Sequence, residues 1–208
     1  MFKILDNIDN PSDIKKLTIG DLKKLSKDVS KYIHTIIIEK GGHYSSPLGA
    51  VDLTIALHYV YNAPIDKLIW DVGHQAYAHK ILTGRKKEFK NIRHYDGISG
   101  FLKIDESKYD SFGAGHASTS ISAGLGFAHS RDKDNKDHQV VSIIGDGAMT
   151  GGLAYEGLNN LGYHKTQLTV VLNDNSYSIS ESVGALSKYL TRIITNPTYN
   201  KLRKDIWN

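Results

Sequence analysis

The 208-residue sequence predicts an α/β fold, a mostly parallel sheet with helices on both faces. Strand-like and helical segments alternate in the second half of the chain, as "HQVVSIIG", "GLAYEGLNNLGY" and "QLTVVLN" do over 138–173. The strand-like runs are continuously apolar, so both of their faces are expected to be covered. Each run is followed by a turn rich in Gly, His, Asp or Asn. These turns are Gly73-His74-Gln75, Gly113 through Ser118, Gly145-Asp146-Gly147 and Asn173-Asp174-Asn175. In parallel α/β sheets ligands collect beyond the carboxyl ends of the strands, so four such turns point to one crevice.

The elements follow in order. Leu22, Leu25, Val29, Ile33 and Ile36 recur at three- and four-residue spacings, a helical stripe over 20–40 that Gly41-Gly42 ends. Pro47 suits the first turn of a second helix through "LGAVDLTIALHYVY", closed by Asn62 and Pro64. "KLIWDVG" reads as a buried strand, and "HQAYAHKILTG" after it as a helix. Residues 84–109 are charged and irregular, a loop with short pieces of structure. A strand at 110–112 leads into the Gly115-His116-Ala117-Ser118 turn and a small-residue helix, "STSISAGLGFAHS". The remaining strands lie at 139–144 and 167–172, with a helix between them. Residues 188–208 are basic and lack a core pattern, which reads as the start of a connecting segment of an incomplete chain; 1–187 form the domain proper.

Composition excludes several classes. Hydrophobic residues make up 40% and charged residues 23%, ordinary for a globular protein. The net charge of +4 is spread without a Lys/Arg cluster interleaved with aromatics, which argues against nucleic acid and suits small anionic substrates. No cysteine is present, so disulfides, thiolate metal sites and Cys nucleophiles are ruled out. The N-terminal residues lack the apolar core of a signal peptide, and Ile36-Ile37-Ile38 is far too short to span a bilayer. The expectation is a cytoplasmic protein without a membrane partner.

Among the turns, "GAGHAS" and "GLGFAH" each carry two of the three glycines of a dinucleotide fingerprint and lack the third, and no Walker A loop occurs. Asp146 and Asn175 are sharper. Each stands at the end of a strand with a single helix between them, so on neighbouring strands both would reach one crevice. A carboxylate, an amide oxygen and a backbone carbonyl form a hard-oxygen set suited to Mg²⁺ or Ca²⁺, with phosphate oxygens completing the shell. The other reading makes Asp146 a helix cap and Asn175 a turn residue. Of the ten histidines, His58 reads as a packed side chain, and His79 as either packed or one layer behind a pocket. His34, His94, His129, His138 and His164 read as surface or loop residues.

At these residues the chain resembles the thiamine diphosphate enzymes, which carry Gly-Asp-Gly and, about thirty residues on, an Asn after a hydrophobic strand. "DVGHQAYAHKILTGR", "GAGHASTSISAGLG", "IIGDGAMTGGLAYE" and "LNDNSYSISESVGAL" narrow the resemblance to the 1-deoxy-D-xylulose 5-phosphate synthase family, related to transketolase. The resemblance implies thiamine diphosphate and Mg²⁺ as cofactors. It implies condensation of pyruvate with glyceraldehyde 3-phosphate, with loss of CO2, as the activity. Asp146 and Asn175 match the family's metal ligands, with the backbone carbonyl of Tyr177 as the third. Gly145, Gly147 and Ala148 match the turn whose amides meet the diphosphate at a helix N-terminus. Gly115, His116, Ala117 and Ser118 match the second diphosphate-side turn, and Asn175 and His74 also face the cofactor. His43, His74 and Ser46 match the catalytic pocket near the reactive carbon.

The same resemblance implies a homodimer and a further pyrimidine-binding domain, on this chain or another. That domain would hold the cofactor-activating glutamate, which no position here matches. A split transketolase-like subunit and a non-catalytic diphosphate-binding module are the two alternatives.

Overall fold

The computed structural model describes residues 2–113 and 115–174, together with 192, 196 and 197. The chain divides into two compact units, Met1–Tyr177 and Ser178–Asn208, and the sheet and its helices belong to the first. Asn175, Tyr177, most of "LNDNSYSISESVGAL" and the boundary expected at 187/188 lie outside the described residues.

Three strands, β1 (Lys67–Trp70), β2 (Val140–Gly145) and β3 (Thr169–Asn173), form a parallel sheet in the order β1-β2-β3. The register pairs Trp70 with Ile143 and Gly145 with Asn173. Seven helices accompany them among the described residues: α1 (Pro11–Ile14), α2 (Ile19–Lys40), α3 (Ser45–Gly49), α4 (Val51–Val60), α5 (Tyr77–Lys80), α6 (Ser120–Lys133) and α7 (Gly152–His164). Alternation along β1 and β2 sorts side chains between two faces. Leu68, Trp70, Val141 and Ile143 pack with Ala50 and Leu57 at α4, whereas Ile69 and Val140 pack with Ala128 of α6. Helices therefore cover both faces, as the apolar runs predict. β3 is the exception: its residues are half-buried or exposed, because it is the outer strand among the described residues.

A separate layer of core surrounds α2. Leu25, Val29, Ile33 and Ile36 are buried against Val51, Ile55, Tyr77 and Ile81, which is the stripe read from the sequence. Thr18 caps α2 through its side chain, and Gly41 ends it in left-handed backbone at φ 76°.

Three segments differ from expectation. The helix expected through 48–61 is broken at Ala50 into α3 and α4. The helix expected from His74 to Gly84 begins only at Tyr77 and continues as a π-turn, Ile81–Arg85, where Gly84 takes φ 94°. Residues 110–112 are not a strand. The Asp110 carboxylate is committed to Arg85 and to the Lys103 amide, and the backbone there joins no ladder. The turns at Gly73 and Gly145 thus follow strands, and Asn173-Asp174 stands at the end of β3.

Candidate active site

Beyond the carboxyl end of β1 the backbone is strained. Val72 takes φ 59° and Gly73 φ 95°. Left-handed backbone is unusual for a β-branched residue and occurs mainly where function or packing dictates it. The bend turns His74 back toward α3. His74 Nε2 lies 3.2 Å from Ser46 Oγ, and its ring centroid is 5.0 Å from that of His43. His43, Ser46 and His74, separated by up to 31 residues in sequence (74 − 43), therefore share one site. The Tyr77 hydroxyl accepts from the His43 amide at 3.4 Å. Gly42 allows this approach: its φ is 136°, and a Cβ there would come within 3.1 Å of that hydroxyl.

The electrostatics favour neutral imidazoles. Burial lowers the His43 pKa from its ordinary value, and the Arg93 guanidinium lowers it further. Burial, then the neighbouring His43, lowers that of His74, while Asp71 acts in the opposite sense. Near pH 7 both rings can therefore accept or relay a proton. The Nδ1 atoms of both are buried without a protein partner, which is unusual for buried polar groups.

The two glycine turns are joined. Ser118 Oγ donates to the carbonyl of Ala148 at 2.6 Å, tying the 115–118 turn to the 145–148 turn. Ser118 itself is left-handed at φ 72°. Gly115, His116, Ala117 and Gly147 are exposed around this joint, and a Cβ at Gly115 or Gly147 would meet nothing within 4 Å. Bare backbone is thus accessible from both turns, the geometry an anion needs to reach amide groups. Gly147 leads into a 3-10 turn, Ala148–Thr150, and α7 begins at Gly152, where the sequence places its helix. Neither start carries a side-chain cap, which leaves backbone N–H groups available to a ligand.

Asp146 stands one residue past β2, and its amide donates to the Asn173 carbonyl at 3.3 Å. Since Gly145 pairs with Asn173, the two strand ends that carry Asp146 and precede Asn175 are neighbours, as the hard-oxygen argument requires. Among the described residues no group of three or more His, Cys, Asp or Glu is placed to hold a metal.

Sequence reading passed over Asp71. Its carboxylate, 1% exposed, accepts from the Ser118 amide at 2.8 Å and the Ser120 amide at 2.9 Å. Its own carbonyl accepts from Gln75 Nε2 at 2.8 Å. One acid thereby fixes the 115–118 turn, the start of α6 and the strained bend before His74. A buried aspartate directly after an apolar strand was the available signal. His58 and His79 belong elsewhere: they are stacked and fully buried, with His79 Nε2 3.2 Å from Asp110.

The parallel sheet with helices on both faces is an α/β fold shared with transketolase. The crystal structure of transketolase from Campylobacter jejuni aligns with TM-score 0.64 and 21% identity, over 72% of this chain and 27% of that one, which establishes a shared fold. A family model described as 1-deoxy-D-xylulose-5-phosphate synthase matches residues 5–208, and the chain belongs to that family. Proteins named 1-deoxy-D-xylulose-5-phosphate synthase from Carboxydothermus hydrogenoformans and Halothermothrix orenii are 55% and 54% identical over 99% of this chain. The chain spans about a third of the length of these curated relatives, 33% and 32%.

Proposed function

We propose that this chain supplies the diphosphate half of a thiamine diphosphate and Mg²⁺ site. The reaction proposed is the condensation of pyruvate with glyceraldehyde 3-phosphate to 1-deoxy-D-xylulose 5-phosphate, with loss of CO2. The observation that carries the reading is the Ser118–Ala148 bond, which joins two exposed glycine turns beside neighbouring strand ends. Family membership supports the same reading.

In this reading the amides of Gly147 and Ala148 and the Gly115-His116-Ala117-Ser118 turn receive the diphosphate. Asp146, Asn175 and the Tyr177 carbonyl hold the cation, whose hard-oxygen preference matches that set. Thiamine diphosphate, when bound, supplies the electron sink for loss of CO2. The chain's own work is positioning and proton transfer. His43 and His74 are neutral and adjacent, with Ser46 Oγ orienting His74 through Nε2. The pyrimidine half of the site belongs to a further domain, in a cytoplasmic homodimer.

Asp146→Ala in the complete gene product is expected to abolish Mg²⁺-dependent thiamine diphosphate binding in a calorimetric titration; unchanged affinity overturns the metal assignment. The 208-residue chain alone is expected to form no product from the two substrates. Turnover by it would overturn the half-site reading.

A further inference from the structure

The ring of Phe101 meets that of His43 edge-on, with centroids 5.8 Å apart. Phe101 sits in an irregular loop, yet both ends of its segment are fastened by carboxylates. Glu106 Oε1 accepts from the Ser99 amide at 2.6 Å, and Asp110 Oδ2 accepts from the Lys103 amide at 3.2 Å. Ser99 Oγ accepts from the Phe101 amide at 3.1 Å. Leu102 is pressed onto the bend before His74 so closely that a Cβ at Gly73 would lie 3.0 Å from its amide nitrogen.

The two carboxylates are gripped in turn from the element that follows His74. Lys80 Nζ, at the end of α5, donates to Glu106, and Arg85 makes a bidentate pair with Asp110 at 2.7 Å for both bonds. The Lys80 and Asp110 side chains are 0% exposed. Burying Lys80, Arg85 and Asp110, with Glu106 half-buried beside them, is a poor route to stability, since apolar residues of the same volume do as well or better. What such a network provides is a unique geometry for the loop it holds.

We propose that Phe101 is a wall of the histidine pocket and that Lys80–Glu106 and Arg85–Asp110 form a positioning device holding it against His43. Phe101 excludes water from one side of the imidazole. The brackets make that placement independent of loop motion, because they join the loop to the same helix that follows His74. Glu106, Asp110, Lys80 and Arg85 act through Phe101 and are positioning residues.

The experiment follows the His43 titration in the complete gene product with ¹³C-labelled histidine, assigned by the signal lost in His43→Gln. Arg93, His74 and Tyr77 also lie against His43, and none of them is substituted. Phe101→Ala is expected to move the midpoint up toward the ordinary value of about 6.5, and Phe101→Leu to restore the lower value. Glu106→Gln provides a test of sign. Loss of an anion alone would lower the midpoint, whereas release of Phe101 raises it, and a rise is expected. An unchanged midpoint in Phe101→Ala, or a fall in Glu106→Gln, overturns the proposal. Activity forms a separate arm that rests on the function proposed above: kcat/KM is expected to fall at least about tenfold in Phe101→Ala and recover in Phe101→Leu. Shifted titration with unchanged kcat/KM would uphold the positioning device and overturn the assignment of the histidine pair to that reaction.

Discussion

Replacing Asp71 by alanine tests how the predicted diphosphate turn is built. Its carboxylate accepts two backbone N–H groups, from Ser118 at 2.8 Å and Ser120 at 2.9 Å, in a site where Asp71 is 1% exposed. Hydrogen bonds to a charged partner contribute about 1.5–3 kcal/mol each, and a buried donor left unsatisfied costs about 1–3 kcal/mol. Two such bonds give an upper range near 6 kcal/mol; entry of water into the space left by the carboxylate reduces this, and we take about 3 kcal/mol. That loss corresponds to roughly a hundredfold change in an opening equilibrium. Native-state hydrogen exchange at the Ser118 and Ser120 amides measures it directly. Protection at both should fall by at least about tenfold in Asp71→Ala, together with a lower urea midpoint. Asp71→Asn retains one acceptor oxygen and presents an NH₂ group to the other amide, so one of the two amides should keep most of its protection. Protection changing less than about threefold at both amides in Asp71→Ala would refute the claim that this acid holds the turn.

Other consequences follow from the same geometry. Gly73→Ala introduces a Cβ 3.0 Å from the Leu102 amide nitrogen at φ 95°, and thermal unfolding should report a loss of about 2 kcal/mol or more. Asp110→Asn removes the anion bidentate to buried Arg85, leaving it Glu106 at 3.5 Å, and should cost about 3 kcal/mol in denaturant unfolding. Burial opposes ionisation of Asp110, yet hydrogen bonds from His79 and Arg85 hold its carboxyl well below the ordinary range. Its contribution is therefore complete above about pH 3.9 and lost as the pH falls through the depressed folded value. His58 is kept neutral by burial and by neighbouring His79, so its folded pKa lies well below that of the unfolded chain. Stability should fall as the pH drops below about 6.5, and His58→Gln, which can still donate to His79, should flatten that slope in unfolding midpoints between about pH 6.5 and 5.

Local patterns in the sequence carried most of the architecture. The stripe from Leu22 to Ile36 specifies α2 because a 3.6-residue period is visible within a single window. The continuous apolar runs specify β1 and β2 because strands buried on both faces cannot alternate. The segment at 110–112 misled for the converse reason: "DSF" next to a glycine turn resembles a strand end, but Asp110 is held by Arg85, 25 residues away. The helix at 48–61 kept its apolar character through the break at Ala50, so periodicity alone could not locate that break.

By itself the sequence determined the α/β class, the glycine turns, the place of Asp146 just past an apolar strand, and the family. All of these are properties of short segments or of their order along the chain. The tertiary structure alone decided that Asp71 holds Ser118 and Ser120, 47 and 49 residues away, and that Ser118 reaches Ala148. It also decided that Phe101 rests on His43, its loop held by one buried and one half-buried ion pair. Such contacts depend on which side chains meet when distant segments pack, and a carboxylate carries no local sign of the amides it will accept from.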